Sequence, residues 1–288
     1  MSSRRIGLIA NTAKPLTREM VADLLREFAR HQRELILEAA TAKLVGAEST
    51  ATPRDLAGDC ELIVVLGGDG TILQVLHELG PRTCPIFGIN LGSLGFLTSA
   101  GAPDWLAAVE CIIAGTYRLS DRTLLQVEVL REGEVIRSQS ALNDAVISRG
   151  ELSRLIKIDV MIDGVLLSEY NADGLIVATS TGSTAYSLSA GGPVITPNSG
   201  VFVITPISPH VLTMRPVIVS NESIIEIAPS RKQTDVFLTL DGQSAIHIAP
   251  HERIRVVKAP LRLPLAGLPG MSFFEVLRQK LKWSGSAV

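Results

Sequence analysis

The feature that most constrains this sequence is a glycine-rich turn between a predicted strand and a predicted helix. The apolar residues from Leu62 to Val65 predict a buried strand, and the residues from Ile72 to Leu79 have the pattern of a helix. Between them lies Leu66-Gly67-Gly68-Asp69-Gly70-Thr71. Glycines allow a sharp turn and leave the backbone N–H groups open to a ligand, while the helix start adds unpaired donors. The sequence therefore predicts an anion-binding turn that needs no lysine.

Asp69 is the unusual residue of this turn, because a carboxylate repels phosphate. Its residue type suits three roles, which are to hold a divalent metal, to orient a hydroxyl nucleophile, or to cap the helix. The residues alone leave these roles open. The turn indicates a phosphoryl-transfer enzyme without identifying the substrate.

Composition and charge exclude several classes of protein. Of the 288 residues, 46% are apolar and 19% are charged, and the net charge of -2 argues against general binding of nucleic acid. No apolar run approaches the ~20 residues that a membrane helix needs, and the residues before the first predicted strand are not expected to act as a signal sequence. We therefore expect a cytoplasmic protein without nucleic-acid or membrane partners. The three cysteines, Cys60, Cys84 and Cys111, are expected to be buried thiols.

The first part of the chain alternates strand and helix patterns, which predicts an α/β domain with a parallel sheet. A loop containing Pro53 is expected before the strand that leads into the glycine turn. A second glycine turn, from Leu91 to Leu97, is expected to emerge beside the first, although its glycines also suit a tight connection between a strand and a helix. The predicted strands cover residues 6–10, 35–37, 62–65 and 85–90, and the predicted helices cover residues 17–30, 72–79 and 103–114.

From about residue 120 the sequence shows many short strand patterns, which predict a mostly β, sandwich-like domain. The pairs Asp163-Gly164 and Asp241-Gly242 indicate tight turns. A final helix over 273–283 is expected to pack back on the first domain. The expected domains are residues 1–120, residues 121–262 and the returning segment 263–288.

Two motifs of the second half carry polar groups that suit a ligand. Asn143 and Asp144 interrupt a predicted apolar strand over 141–148, where they would point to opposite faces, so at least one needs a ligand, a turn or a partner group. Residues 179–193 form a hydroxyl-rich run, with seven Ser or Thr, one Tyr and three Gly. Such a composition suits a sugar, an amide or a nucleobase better than a metal. A helix start capped by Ser183 or Thr184 is a compatible interpretation.

Taken in order, these motifs resemble the bacterial NAD kinase family over roughly residues 66–243. The Thr-Gly-Ser-Thr-Ala-Tyr-Ser run and the Asn-Asp pair are far more specific than the glycine turn. The motifs that carry the resemblance are Gly67-Gly68-Asp69-Gly70-Thr71, Asn90 to Leu97, Asn143-Asp144, Asp173-Gly174, Thr181 to Ser187, Pro209-His210 and Asp241-Gly242-Gln243.

The resemblance implies transfer of a phosphoryl group from ATP, or from polyphosphate, to the adenosine 2′-hydroxyl of NAD, giving NADP. It implies that Asp69 is the base acting on that hydroxyl and that Mg²⁺ bridges the donor oxygens, with the metal's protein ligands left open. The residues that would face the donor phosphates are Gly67, Gly68, Gly70 and Thr71.

The resemblance also implies contacts with the dinucleotide. Asn143 would contact the adenine and Asp144 the ribose, where many relatives have Glu, while Asp173 would reach the nicotinamide end, commonly from a neighbouring subunit. A shared site implies a homotetramer or a homodimer. Asn171 stands where some relatives have a larger or basic residue, which leaves the choice between NAD and NADH open. The other implied contacts are Asp69, Gly70, Arg154, Asn171, Thr184, Ala185, Tyr186, Ser187, Leu188, Ser189 and Gln243.

Two alternative functions remain open at this stage. Lipid and sugar kinases have similar glycine turns, although they do not explain the hydroxyl-rich run. A non-catalytic dinucleotide sensor would bind NAD without forming NADP, although the presence of Asp69 argues against it.

Overall fold

The chain divides into two compact units. The computed structural model describes residues 5–80, 82–150, 155–231, 233, 235–243 and 245–283. The first unit is Met1–Asp121 together with Leu263–Val288, and the second unit is Arg122–Arg262.

The first unit contains a parallel sheet with helices, as predicted. The strand order is β2-β1-β3-β4, every pairing is parallel, and β4 also pairs in parallel with β5 and with residues 265 and 266. Its elements are β1 (Ile6–Ala10), α1 (Thr17–Arg30), β2 (Leu35–Leu37), α2 (Ala39–Val45), α3 (Pro53–Asp59), β3 (Leu62–Leu66), α4 (Asp69–Leu79), β4 (Ile86–Asn90), β5 (Ala100–Gly101), a 3-10 turn (Ala102–Asp104) and α5 (Trp105–Ala114).

The core of the first unit explains its apolar sequence runs. Every residue of β1, β3 and β4 is buried, which is typical of parallel strands covered on both faces. Helix α1 buries Val21, Leu24 and Phe28, which are spaced as one helical face. Burial of one such side chain stabilises a fold by about 1.5–3 kcal/mol. These runs place the ends of β1, β3 and β4 at one edge of the sheet.

Two local predictions for the first unit were wrong. The predicted loop around Pro53 contains helices α2 and α3, because Pro53 occupies the first turn of α3, where proline is tolerated, and Thr52 forms a capping box with Asp55. Helix α4 begins at Asp69 and not at Ile72. The sequence pattern did not indicate this start, because the glycines around Asp69 are poor helix formers.

The second unit is mostly β, as predicted. One sheet has the order β10-β9-β14-β17 with β6 and β7 at its side, and the other has the order β13-β12-β11-β8-β15-β16. Its elements, of which β6 begins and β17 ends within the first unit, are β6 (Arg118–Arg131), β7 (Glu134–Ala141), β8 (Asp144–Arg149), β9 (Ile156–Ile162), β10 (Val165–Ala172), β11 (Gly174–Thr179), a 3-10 turn (Gly182–Thr184), α6 (Tyr186–Ser189), β12 (Val201–Ile207), β13 (Val217–Ser220), β14 (Ile225–Pro229), β15 (Val236–Leu240), β16 (Ile246–Ile248) and β17 (Arg253–Gly267).

Apolar side chains of both sheets form one core, which confirms the sandwich-like prediction. Leu125 and Ile158 from one sheet pack in the same buried cluster as Ile147 and Phe202 from the other. The predicted Asp163-Gly164 hairpin joins β9 to β10, and both residues have positive φ, 51° and 80°. Positive φ at both positions is what the tightest hairpin turns require.

The predicted strand over residues 141–148 is broken. Strand β7 ends at Ala141 and β8 begins at Asp144, so Leu142 and Asn143 form the connection between two strands. Asn143 and Asp144 therefore do not project to opposite faces of one continuous strand. The polar pair marks the start of β8.

The C-terminal helix packs in the first unit, as predicted. Helix α7 (Phe273–Leu281) begins with a capping box of Ser272 and Glu275, and it buries Val276 and Leu277. The ring centroids of Phe273 and Phe96 are 6.1 Å apart.

The cysteines match the expectation from their number and spacing. The side chains of Cys60, Cys84 and Cys111 are buried and free, as expected. No helix in the described ranges has both the length and the apolar character needed to cross a bilayer.

Candidate active site

The glycine turn of the first unit is held in a tight shape by its own residues. Gly67 and Gly68 join β3 to α4, and Gly68 stands at the N-cap position without a side-chain cap. A Cβ atom on Gly67 would lie 2.3 Å from the hydroxyl oxygen of Thr71, so a larger residue does not fit there. Because the first N–H groups of a helix lack partners within the helix, this turn offers backbone donors to an anion.

Asp69 is the first residue of α4, and its carboxylate is oriented by the second glycine turn. Oδ2 accepts a hydrogen bond from the backbone N–H of Phe96 at 2.9 Å, and Oδ1 accepts one from Leu97 at 3.1 Å. A Cβ atom on Gly95 would lie 1.9 Å from Oδ1 of Asp69. The carboxylate is therefore fixed by a separate loop, and the interpretation of Asp69 as a helix cap is wrong.

The loop that orients Asp69 is itself held by side chains. The buried Asn90 accepts a hydrogen bond from the N–H of Gly92 at 2.9 Å and donates one to the carbonyl of Ser93 at 2.5 Å. The hydroxyl of Thr98 accepts a hydrogen bond from the N–H of Gly95 at 2.8 Å. The two predicted glycine turns thus meet, and Asp69 is the contact between them.

Lys14 is a residue of this region that sequence analysis missed. It lies in the loop after β1, and its Nζ is 3.9 Å from the point where a Cβ atom of Gly68 would stand. The order of the strands was a usable signal, because a residue that follows β1 must lie near the end of its parallel neighbour β3.

The second unit contains a cavity of about 440 Å³ that brings together four of the predicted binding residues. Tyr186 presents an aromatic face there and is 47% exposed. Cavities of this size with few polar groups are typical of small-molecule sites. The lining residues with polar or stacking groups include Asn143, Asp144, Tyr186, Thr239 and Asp241, and Ala185 completes the predicted set.

Asp241 organises the connection between β7 and β8. Its carboxylate accepts backbone hydrogen bonds from Leu142 at 2.8 Å, Asn143 at 2.7 Å and Asp144 at 3.1 Å. Its own N–H donates to the carbonyl of Asp144 at 3.0 Å. A carboxylate with three backbone donors satisfies polar groups that a buried connection would otherwise leave unpaired.

Asp144 is the most perturbed acid of this cavity. Its side chain is buried, and burial, followed by the negative charge of Asp241, raises the pKa of the Asp144 carboxyl to about 7, although the N–H of Tyr186 opposes the shift. A carboxyl group with such a pKa can accept or donate hydrogen bonds near neutral pH. Perturbed groups in cavities are frequent at functional sites.

The hydroxyl-rich run contributes Ala185 and Tyr186 to the cavity wall, while several of its hydroxyls are hydrogen-bonded within the protein. A Cβ atom on Gly182 would lie 2.0 Å from the carbonyl oxygen of Asn143, so only glycine lets the run pack there. Ser187 is fully buried and shares a 2.9 Å hydrogen bond with Thr205. The Ser187 hydroxyl therefore supports the fold, and the predicted contact of this residue with the dinucleotide stays a prediction.

The interpretation of Ser183 or Thr184 as a helix cap was wrong. The Ser183 hydroxyl donates to the carbonyl of Ser180 at 2.8 Å, and the Thr184 hydroxyl donates to the carbonyl of Thr181 at 3.2 Å. Neither short helix of this run has a side-chain cap.

The remaining predicted residues lie in several environments. Asp173 forms a 2.7 Å ion pair with Arg149, a residue that sequence analysis missed, and both side chains are about one-third exposed. The carbonyl of Asn171 accepts a hydrogen bond from the N–H of His210 at 2.8 Å. Leu188 is half-buried, whereas Ser189 and Gln243 are exposed. Arg154 lies outside the described residues.

The side chains near the turn fit a metal that arrives with phosphate. Among the described residues, no three His, Cys, Asp or Glu side chains are grouped to hold a metal ion. Mg²⁺ usually binds one or two protein carboxylates together with phosphate oxygens and water. Asp69 lies at the phosphate turn and is the residue here that fits this pattern.

Family models match both halves of the chain. Residues 6–117 match the ATP-NAD kinase N-terminal domain, and residues 142–267 match the ATP-NAD kinase C-terminal domain. The NAD kinase of Geotalea daltonii is 40% identical over 280 residues, which are 97% of this chain and 99% of that protein. The NAD kinase of Solibacter usitatus is 41% identical over 277 residues, 96% of each chain.

Two solved structures are similar over nearly the whole chain. Yeast NADH kinase complexed with NADH has a TM-score of 0.90 and 26% identity, covering 99% of this chain and 89% of that chain. An NAD kinase from Archaeoglobus fulgidus in complex with ATP has a TM-score of 0.76 and 26% identity, covering 98% and 100%. Both glycine turns, the Asn143-Asp144 pair and the hydroxyl-rich run fall within the matched ranges, and this chain therefore belongs to the NAD kinase family.

Proposed function

We propose that this chain transfers the γ-phosphoryl group of ATP to the adenosine 2′-hydroxyl of NAD, giving NADP and ADP. The observation that carries the proposal is the orientation of Asp69, whose carboxylate is held by Phe96 and Leu97 at the glycine turn. Relatives complexed with NADH and with ATP support the two substrates. NAD kinase relatives over the full chain do not favour a lipid or sugar kinase.

Asp69 acts on the acceptor hydroxyl. Transition states of phosphoryl transfer are loose, so positioning and charge neutralisation dominate over strong nucleophile activation. The 2′-oxygen forms a bond to the γ-phosphorus while the bond from that phosphorus to the bridging oxygen of ADP breaks. Asp69 accepts the hydroxyl proton during this step and later releases it to solvent.

The glycine turn binds the donor phosphates through its backbone. The N–H groups at the start of α4 can donate to a phosphate beside Gly68, and the helix dipole adds a partial positive charge. Asp69 would be the protein ligand of Mg²⁺, which would supply charge neutralisation for the transferred phosphoryl group. Gly67, Gly68, Gly70 and Thr71 form this turn.

The cavity of the second unit binds the adenosine part of NAD. The Asn143 amide can pair with an adenine edge, Asp144 can bond the ribose hydroxyls, and Tyr186 offers a stacking face. Ala185 forms part of the cavity wall. The cavity would be specific for adenosine, because a ligand without matching hydrogen-bonding groups would leave these polar side chains unpaired.

The active unit that we propose is a homotetramer or a homodimer with shared NAD sites. In this arrangement Asp173 acts on the nicotinamide end of the dinucleotide bound by a neighbouring copy. Its ion pair with Arg149 holds the carboxylate in one orientation. Closed symmetry would then repeat the same shared site in every subunit.

The test is an assay for NADP with the purified chain. NAD, ATP and Mg²⁺ are supplied, and NADP is measured with an NADP-specific dehydrogenase. We expect NADP to accumulate, and parallel reactions with NADH and with polyphosphate determine acceptor and donor preference. NAD binding without NADP formation would identify a sensor, and phosphorylation of a lipid or sugar in its place would identify another kinase.

A further inference from the structure

Lys14 is anchored beside the glycine turn by the loop that follows β1. The N–H of Asn11 donates to the carbonyl of Leu66 at 2.8 Å, and its side-chain amide donates to the Thr71 hydroxyl at 3.3 Å. The carbonyl of Asn11 accepts hydrogen bonds from the Thr17 hydroxyl at 2.7 Å and from the N–H of Lys14 at 3.3 Å. The loop is thus bonded to both the end of β3 and the first turn of α4.

This anchoring directs the Lys14 ammonium to the open side of Gly68. Its Nζ and the amide atoms of Asn90 are the atoms nearest to the point where a Gly68 Cβ would stand, all at 3.9 Å. The Lys14 ammonium has no ion pair or hydrogen bond with any residue in the described ranges. A half-buried lysine without a carboxylate partner is available for an anionic ligand.

A positive side chain beside the turn would add to the charge neutralisation that Mg²⁺ supplies. Asp69 brings a negative charge to the place where the donor phosphates bind, and the glycine turn itself contributes only neutral N–H groups. A lysine ammonium offsets the phosphate charge as a point charge and forms charge-assisted hydrogen bonds to phosphate oxygens.

We propose that Lys14 binds the terminal phosphates of the phosphoryl donor at the Gly67-Gly68 turn. This inference rests on the proposed function. It assigns donor binding to Lys14, a residue that is not part of the motifs that carry the family resemblance. Because Lys14 contacts phosphates, its loss should affect ATP and inorganic polyphosphate alike and leave recognition of NAD unchanged.

The experiment compares steady-state kinetics of the wild type with Lys14→Ala, Lys14→Arg and the control Lys43→Ala. Lys43 is an exposed lysine of α2, so its loss changes net charge equally. We expect kcat/KM for ATP to fall about ten- to a hundredfold in Lys14→Ala, the range for a hydrogen bond to a charged group, with the KM for NAD unchanged. Lys14→Arg should retain most of the activity, and Lys43→Ala should match the wild type.

Two further measurements separate a phosphate contact from a structural role. Added NaCl should raise the KM for ATP more steeply in the wild type than in Lys14→Ala, because salt screens the charge that the variant lacks. Thermal unfolding should show equal melting temperatures. The inference would be overturned if the wild type is active and Lys14→Ala keeps the same kcat/KM for ATP, or if the variant loses kcat/KM equally for ATP and for NAD. A wild type that forms no NADP would overturn the proposed function itself.

Discussion

Oδ1 of Asp241 accepts a 2.7 Å hydrogen bond from the backbone N–H of Asn143, although the two residues are 98 positions apart. The same carboxylate also binds the N–H groups of Leu142 and Asp144. It lies in an Asp-Gly turn in which both residues have positive φ, 51° and 68°. One turn of the sandwich therefore holds the segment that we assign to adenosine binding.

Replacement of this carboxylate should loosen the adenosine site. Asp241→Asn keeps the turn, because Asn tolerates positive φ. Its NH₂ group, however, cannot accept a hydrogen bond, so at least one of the three backbone N–H groups loses its acceptor. We expect the KM for NAD to rise and the free energy of unfolding to fall by about 1–3 kcal/mol, the cost of an unsatisfied buried donor. The KM for ATP should stay nearly constant.

A matched control for Asp241 exists in the same unit. Asp163 also lies in an Asp-Gly turn at φ 51°, and its carboxylate accepts one hydrogen bond, from the N–H of Ile224 at 2.8 Å. Asp163→Asn should leave the KM for NAD unchanged. An equal rise of the KM in both variants would show that Asp241 acts only through general stability.

Asp144 should make the stability of the chain depend on pH. Its pKa is raised from 3.8 to about 7, so between these values the folded carboxyl stays protonated while the unfolded one ionises. The contribution of Asp144 to the free energy of unfolding should therefore fall as pH rises from about 4 to about 7, and then level off. Asp144→Asn, which cannot ionise, should gain stability relative to the wild type over this range in urea unfolding. A constant difference between the two proteins would contradict the raised pKa.

Asp69→Asn should remove the proton acceptor while it preserves the shape of the side chain. We expect kcat to fall by about two to four orders of magnitude, the usual contribution of a positioned base, with little change in NAD affinity. Stopped assays for NADP and a separate NAD titration measure the two effects. Retention of more than about half of kcat would remove Asp69 from the chemistry.

Gly95→Ala should displace the Asp69 carboxylate without touching a ligand. The new methyl group would stand 1.9 Å from Oδ1, a distance that forces Asp69 or the loop to move. Displacement of a catalytic group by about 1 Å can lower the rate about a hundredfold. Gly101→Ala is the control, because its added Cβ atom would meet other atoms at an ordinary 3.4 Å. Equal kcat in both variants would contradict the role of the second turn.

The shared-site proposal predicts complementation between two inactive variants. Asp69→Asn and Asp173→Ala, co-expressed with different tags, should form mixed oligomers that regain activity, because some shared sites combine an intact Asp69 with an intact Asp173. Random mixing in sites built from two chains would restore at most about a quarter of them. Confirmed mixed oligomers without activity above either parent would place both residues in one chain's site.

The sequence by itself determined the buried parallel strands, the tight turns and the family. Continuous apolar runs predicted the buried parallel strands, and Asp-Gly pairs predicted the tight turns, because both depend on local backbone preference and burial. The glycine turn and the hydroxyl-rich run carried the family resemblance. The sequence did not predict the helix that begins at Pro53 or the start of α4 at Asp69. Residues that usually interrupt helices can also stand where helices begin.

Only the tertiary structure decided how the functional side chains are held. Asp69 is oriented by Phe96 and Leu97, and Asn143 by Asp241, through hydrogen bonds between residues distant in the sequence. Packing also buried Ser187 and brought Lys14 to Gly68. Local periodicity cannot encode such contacts, because they depend on which strand ends and loops the folded sheets bring together.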